Sequence, residues 1–254
     1  MIKFENTEVF GWGATIRGMR NPMNSWHLGD TDWFYVSDDR AAESNHWLDS
    51  ANNEALILGD NDLDLMKRLR NAGTDHRKFM RMIVVYTDIT APLYWWKEFD
   101  TYKVGTVANS CSTMHKIAAK EFTLEDFSTE YLLGSAVQYN GYVPTSVLKC
   151  TIGALNEFRK LYLESKNKVY WWQMIQLLPS SYNQKRTVMM NYEVLANIYK
   201  ARRNHKLDEW SENIIKVNGE EYTNKWLPND EMNRGFCDWI KTLPYSELIT
   251  GEDE

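Results

Sequence analysis

The sequence has few residues of the kinds that build disulfide scaffolds, metal centres or membrane spans. Its three cysteines are widely spaced and form no Cys-x-x-Cys or Cys/His cluster, so neither a disulfide framework nor a structural zinc site is predicted. The five histidines do not cluster either, which leaves a metal enzyme a distant alternative. No apolar run approaches the roughly 18 residues that span a bilayer, and residues 1–6 lack the apolar segment of a signal peptide. We therefore expect a cytoplasmic protein with no metal site and no membrane partner.

Positive charge is also scarce, because 29 Lys and Arg residues face 35 Asp and Glu residues, for a net charge of -6. Such a chain is not expected to bind a nucleic-acid polymer, and a smaller polyanion would need a local basic patch. Tryptophan, in contrast, is abundant: there are eleven, and Trp95–Trp96 and Trp171–Trp172 are adjacent pairs. Because indole rings usually make large core or interface contacts, core packing is the first expectation for these pairs.

The length of 254 residues and the apolar pattern predict one domain, with polar insertions near residues 21–55 and 217–233. Residues 21–55 read mostly as loop, and residues 105–114 as a loop or a helix edge lining a cavity. Strands are predicted over about residues 2–10, 79–86 and 187–189. Helices are predicted over about residues 14–19, 60–73, 90–102, 148–164, 171–177, 191–203 and 231–241.

Polar residues recur at a distinctive spacing after Leu178-Pro179. Asn191 follows the proline by twelve residues, Asn197 comes six further on, and Arg202 lies five beyond that. Asn191 and Arg202 are eleven residues apart, so on one helix they point within about 20° of each other, whereas Asn197 points elsewhere. We expect Asn191 and Arg202 to share a helix face and to border the main pocket.

This pattern, together with residues 59–79, 91–106 and 107–113 in the same order, resembles the flavin-dependent thymidylate synthase family. The resemblance covers about residues 59–117 and 171–212. It implies a mixed α/β fold with a central sheet flanked by helices, assembled as a homotetramer with sites between subunits. It also implies FAD as cofactor, methylenetetrahydrofolate and NADPH as co-substrates, and a dUMP-like nucleotide as substrate.

The resemblance also implies roles for individual residues. Those expected near the flavin are His76, Lys103, Asn191 and Asn197. Those expected near the nucleotide are Arg202, Thr106 and Ser112. Candidates for a catalytic role are Cys111, Ser110 and Ser112. Each has a plainer alternative: a histidine in the position of His76 can cap or pack, and Trp95 and Trp96 can either stack on a flavin or base or fill the core.

A lone cysteine such as Cys111 is a nucleophile only if its pKa is lowered, and otherwise a small buried apolar residue. The family's chemistry needs no covalent nucleophile, because reduced flavin and folate carry the electrons and the carbon.

The sequence departs from the family at its cationic anchors. Thr101, Tyr102 and Lys103 stand where the family has Arg-His-Arg, and Thr113 and Ile175 replace two further arginines. A lysine can meet a phosphate as a point charge, but it lacks the bidentate fork of arginine. Most positions that would anchor a nucleoside monophosphate are therefore changed.

Three explanations of this change remain open. The protein can be a synthase with a relocated cationic set, for which the candidates are Lys103, Lys185, Arg186, Arg202 and Arg203. It can act on another substrate, or bind a nucleotide without catalysis. The preferred function is a flavin-dependent, methylenetetrahydrofolate-using enzyme acting on a dUMP-like nucleotide. The alternative is a non-catalytic protein that sequesters or senses a nucleotide.

Overall fold

A computed structural model describes residues 2–35, 48–49, 54–134, 141–217, 220–223 and 235–251. Its centre is a four-stranded antiparallel sheet. The strands are, in spatial order, β1 (Lys3–Phe10), β5 (Val84–Pro92), β7 (Asn183–Asn191) and β6 (Val107–Ser110). Alternate residues of the two inner strands, such as Val85 and Ile89 on β5 and Val188 and Met190 on β7, are fully buried. This period of two places one face of the sheet against the core.

Helices surround this sheet, and two small sheets lie beside it. The helices are α1 (Trp12–Arg20), α2 (Asp60–Asn71), α3 (Leu93–Phe99), α4 (Thr113–Lys116), α5 (Pro144–Ser165), α6 (Lys168–Leu177), α7 (Tyr192–Arg202), α8 (Phe236–Ile240) and α9 (Glu247–Thr250). The remaining strands are β2 (Asp32–Tyr35), β3 (Leu48–Asp49), β4 (Glu54–Ile57), β8 (Ile214–Val217) and β9 (Glu220–Thr223). Within the described ranges, no helix has the length and apolar character needed to cross a membrane.

The main core contains a cluster of aromatic rings between α3 and α8. Trp95 stacks on Trp210 with 4.4 Å between ring centroids, and on Phe99 at 5.2 Å. The indole of Trp96 donates a hydrogen bond to the carbonyl of Gln184 at 2.9 Å. Trp95 and Trp96 are both fully buried, so core packing is confirmed for this pair and neither ring is placed to stack on a ligand.

A second, smaller apolar cluster holds the α5–α6 hairpin against the segment that follows β6. Its buried residues are Ile117, Phe122, Phe127, Leu148, Leu155 and Met174. The amide side chain of Asn156 on α5 ties this segment down, because it accepts from the Phe122 amide at 2.8 Å and donates to the Phe122 carbonyl at 2.9 Å. This packing fixes one wall of the cavity described below.

The mixed α/β class with helices around a sheet is confirmed, and so are the helices predicted over residues 148–164, 171–177 and 191–203. Residues 105–114 are not simply a loop, because they contain β6 and the start of α4. All four residues of β6 are exposed, so backbone pairing with β7 rather than apolar alternation makes this edge strand.

One other expectation needs correction, and two concern regions that the structure describes only in part. The predicted strand over residues 79–86 begins later and runs on to Pro92, after a 3₁₀ segment at Arg77–Arg81. The described part of region 21–55 contains β2, β3 and the first residues of β4, whereas residues 36–47 and 50–53 lie outside the described residues. Most of the predicted insertion 217–233, and residues 231–234 of the last predicted helix, lie outside the described residues.

Candidate functional site

A cavity of about 600 Å³ opens where β1, β5 and β7 meet the segment that follows β6. Its size falls within the range of small-molecule sites. The residues that line it include Lys3, Cys111, Ser112, Thr113, Lys116 and Tyr182. We call it the main cavity. It brings together the segment 111–113, which the sequence singled out, and lysines from distant parts of the chain.

Backbone pairing and a helix cap fix the segment 110–113. Ser110 pairs with Arg186 in the β6–β7 register, and the Cys111 amide donates to the carbonyl of Lys185 at 3.0 Å. The Ser112 hydroxyl accepts from the amide of His115 at 3.1 Å, which caps α4. Cys111 and Ser112 line the main cavity, whereas Ser110 does not.

Cys111 is exposed at the cavity, so the alternative of a small buried residue is wrong for it. That description fits Cys237 instead, where burial raises the pKa of the thiol far above its ordinary value. Cys111 is therefore accessible to a bound ligand, and its chemical role remains a prediction. The part of the chain that the structure describes contains no group of three His, Cys, Asp or Glu residues arranged for a metal ion.

Four lysines and four acidic residues line the main cavity, and part of this charge is internally paired. The lysines are Lys3, Lys116, Lys120 and Lys185, and the acids are Glu5, Glu125, Asp126 and Glu130. Lys120 pairs with Asp126, and Lys185 lies 3.0 Å from Glu5 and 3.3 Å from Asp88. Neither Lys3 nor Lys116 makes an ion pair with any described residue. These two ammonium groups are available to an anion.

Aromatic rings give the same cavity an apolar wall. Phe122 and Phe127 are buried and pack edge-on against Tyr182, with ring centroids 6.1 and 5.6 Å away. Burial also raises the pKa of the Tyr182 phenol, so the ring is neutral at pH 7. A ligand with a flat ring and a negatively charged group would find a partner for each part here.

Arg202, a further residue expected near the nucleotide, forms its hydrogen bonds with other residues of the protein. Its Nη1 donates to Glu98 at 2.5 Å, its Nε donates to the Tyr102 hydroxyl at 2.8 Å, and its guanidinium lies 4.9 Å from the ring centre of Trp210. Burial lowers the pKa of the nearby His205 ring and Arg202 acts in the same direction, which together outweigh the opposite effect of Glu98. The Arg202 cluster is thus already charge-compensated.

The two asparagines lie apart from the main cavity. The Asn191 side-chain oxygen accepts from the Val194 amide at 3.0 Å and caps α7, and Asn197 is exposed on that helix. Neither Asn191 nor Arg202 lines the main cavity, and the expectation that they border the principal ligand pocket remains a prediction.

The remaining predicted residues also lie outside the main cavity. His76 and Lys103 are exposed, and the Thr106 hydroxyl donates to the carbonyl of Tyr102. None of the four expected flavin ligands lines the main cavity. Their role in binding FAD therefore remains a prediction, separate from the main cavity.

Most of the proposed relocated cations are neutralised as well. Arg186 lies 2.7 Å from Asp100 and over the ring of Trp96, and Lys185 is paired as described above. Sequence reasoning missed the available lysines Lys3 and Lys116. The sequence did contain an indication of Lys116. Lys116 and Lys120 are four residues apart, a spacing that places two side chains on one face of a helix, and they directly follow the segment 111–113.

No protein-family model matches the sequence, and no curated protein is significantly similar to it. The structure is similar to thymidylate synthase X from Helicobacter pylori, crystallised with FAD and dUMP. The TM-score is 0.57 at 13% identity, over 99% of this chain and 98% of that one. It is also similar to the UMP/dUMP methylase PolB from Streptomyces cacaoi, bound with 5-Br dUMP, with a TM-score of 0.50 at 12% identity over 99% and 94% of the chains. At such identities the likeness concerns the fold alone, and the fold is similar to that of the flavin-dependent thymidylate synthases.

Proposed function

We propose that the protein binds a dUMP-like nucleoside monophosphate in the main cavity. The observation that carries this proposal is the placement of the two available lysines, Lys3 and Lys116, beside an aromatic wall. The lysines suit the phosphate, and the rings of Phe122, Phe127 and Tyr182 suit the base. The structural likeness to proteins crystallised with dUMP or its bromo derivative supports the same ligand class.

The reaction that we propose is reductive methylation of this nucleotide, with FAD, methylenetetrahydrofolate and NADPH. None of the expected flavin ligands lines the main cavity, and we propose that the reaction requires a homotetramer with sites between subunits, in the cytoplasm. FAD binding and turnover are expected to be weak. Thr101, Thr113 and Ile175 replace arginines, and each lost hydrogen bond to a charged group costs about 1.5–3 kcal/mol.

Losing two or three such contacts would weaken binding by roughly a hundredfold to several thousandfold or more. The pairing of Arg202 with Glu98 favours the second candidate function, in which the protein sequesters or senses the nucleotide without catalysis.

Calorimetric titration with dUMP tests the binding step. Lys116→Gln is expected to weaken dUMP binding about three- to tenfold, because it removes a charged but solvent-screened contact. Lys160→Gln, an exposed lysine of α5 outside the main cavity, is the control for net charge. No binding by the wild type, or equal effects of the two substitutions, would refute the proposed site.

Formation of dTMP from dUMP, methylenetetrahydrofolate, FAD and NADPH then separates the enzyme from the binder. Slow turnover supports a weakened methylase, and binding without turnover supports sequestration. Turnover as fast as that of an ordinary thymidylate synthase would show that the missing arginines are dispensable. Light scattering that gives a monomer at micromolar concentration would contradict the tetramer.

A further inference from the structure

A second pocket, of about 270 Å³, lies among the end of α2, the 3₁₀ segment Arg77–Arg81, α7 and the end of α9. Its polar and aromatic lining consists of Arg70, Asn71, Arg77, Tyr199, Lys200, Arg203 and Thr250. We call it the basic pocket. Among the described lining residues four are cationic and none is acidic, in a chain whose net charge is -6. It shares no lining residue with the main cavity.

Two of these cations have an ordinary structural explanation. Lys200 and Arg203 lie in or just after the last turn of α7, where positive side chains offset the helix dipole. That explanation does not reach Arg77, which begins a different segment. The Nε of Arg77 is buried and has no hydrogen-bond partner among the described residues. A buried donor without a partner is costly, so the Arg77 side chain is expected to meet an acceptor that the described residues do not supply.

Arg70 is fixed in place at the rim of the basic pocket. Its Nε donates to the Leu248 carbonyl at 3.0 Å, and its Nη2 donates to the Ile249 carbonyl at 3.2 Å. Gly251, with φ of +75°, packs directly on this guanidinium, and a Cβ there would lie 2.2 Å from Nη2. The backbone of α9 thus orients one cation of the pocket before any ligand arrives.

The basic pocket is separate from the arginine that the family resemblance singles out. Lys200 and Arg202 are two residues apart on α7, so their side chains point about 160° apart. Ala196, Tyr199 and Arg203, at spacings of three and four, form the face that lines the pocket. Arg202 instead contacts Glu98 and Tyr102.

The geometry points to a binding site for a phosphate group in the basic pocket, distinct from the main cavity. Phosphate offers several acceptor oxygens, which suits the guanidinium of Arg77 and the ammonium of Lys200, and its charge suits a lining whose described residues include no carboxylate. The volume of about 270 Å³ accommodates inorganic phosphate or the phosphate end of a small metabolite. The site goes beyond the proposed function, because it does not require a nucleotide in the main cavity.

Titration of the full chain with inorganic phosphate, at constant ionic strength, tests the inference. Arg77→Gln is expected to weaken phosphate binding about tenfold or more, because it removes a charged hydrogen bond in a partly buried position. Arg77→Lys is expected to fall between Arg77→Gln and the wild type, since it keeps the charge but loses the fork of N–H groups. Lys160→Gln should stay within about twofold of the wild type.

Two outcomes would overturn the inference. One is the absence of binding to the wild type at about 10 mM phosphate, a concentration that detects millimolar affinity. The other is equal binding by Arg77→Gln and Lys160→Gln. If Lys116→Gln weakens phosphate binding and Arg77→Gln does not, phosphate occupies the main cavity, so the second site fails while the proposed function stands. Unchanged near-ultraviolet circular dichroism shows that each variant is folded.

Discussion

The two faces of α7 treat positive charge in opposite ways. On one face, Arg202 packs over Trp210 and bonds to Glu98 and Tyr102, so its charge is balanced within the protein. On the other face, Lys200 lies in a pocket whose lining, as far as the structure describes it, contains no acidic residue. A sequence motif alone would make Arg202 the ligand-binding residue, yet the lining without a carboxylate lies on the opposite face.

The difference follows from burial. A guanidinium that is removed from water needs a carboxylate and hydrogen-bond acceptors, or its desolvation penalty destabilises the fold. A cation that keeps its water needs no such partner and can exchange that water for a ligand. Arg20 is the most buried example of a guanidinium with a carboxylate partner in this comparison, because it is buried and lies 2.6 Å from the fully buried Asp62.

The largest effect is expected where a balanced cation loses its partner in the interior. Asp62→Asn leaves the buried charge of Arg20 uncompensated and should lower the free energy of unfolding by about 3–5 kcal/mol. Asp64→Asn is the matched control on the same helix, because Asp64 pairs with Arg68 while both side chains are about two-thirds exposed. That control should cost less than about 1 kcal/mol. Equal losses in urea denaturation would show that burial does not decide the need for a partner.

The effect of Asp62→Asn should also depend on pH. Burial raises the pKa of the Asp62 carboxyl. The hydrogen bonds from Thr31 and Arg20 together have a larger effect in the opposite direction, so the pKa lies below its ordinary value. A lowered folded-state pKa stabilises the protein above the unfolded-state pKa of about 3.9, and that stabilisation is lost as the pH falls through the folded value. The difference in the free energy of unfolding between the wild type and Asp62→Asn should therefore have its full value at pH 7 and become smaller below about pH 4. A gap that is independent of pH would exclude the ionised carboxylate as its cause.

A smaller loss is expected at the half-buried cluster on α7. Arg202→Gln removes hydrogen bonds to a charged group and a contact with the Trp210 ring, and should lower the free energy of unfolding by about 1.5–3 kcal/mol. Lys200→Gln, on the opposite face of the same turn, should change it by less than about 0.5 kcal/mol. If both variants are equally stable in urea, the contact between Arg202 and Glu98 does not stabilise the fold, and the proposed difference between the two faces of α7 is wrong.

Much of the fold could be predicted from the sequence, because apolar periodicity is a local property. The apolar stripes of α5 and α7 follow from residues three or four positions apart. The edge strand β6 could not be predicted this way, since its four residues are exposed and its existence depends on pairing with β7.

The site was less predictable than the fold. Segment 111–113 does line the main cavity, but Lys3 reaches it from a strand more than 100 residues away in the chain. The pairing of Glu98 with Arg202 likewise joins residues 104 positions apart. Ion pairs between residues far apart in the chain decide which cations remain available to a ligand. Such pairs cannot be predicted from a local sequence pattern.

The smallest effect on stability is expected in the basic pocket, at Arg77. Arg77→Gln should change the free energy of unfolding by less than about 0.5 kcal/mol, because it removes a donor without a partner and relieves repulsion in the basic pocket. Arg81→Gln, on the same 3₁₀ segment, should be the more destabilising change, since Arg81 forms an ion pair with Glu193. Phosphate should then raise the melting temperature of the wild type and of Arg81→Gln but not that of Arg77→Gln, because only a protein that binds the ligand is stabilised by it. A loss of stability at Arg77 as large as that at Arg81, with the same response to phosphate in both variants, would mean that Arg77 has a structural partner and that the two faces of α7 do not differ.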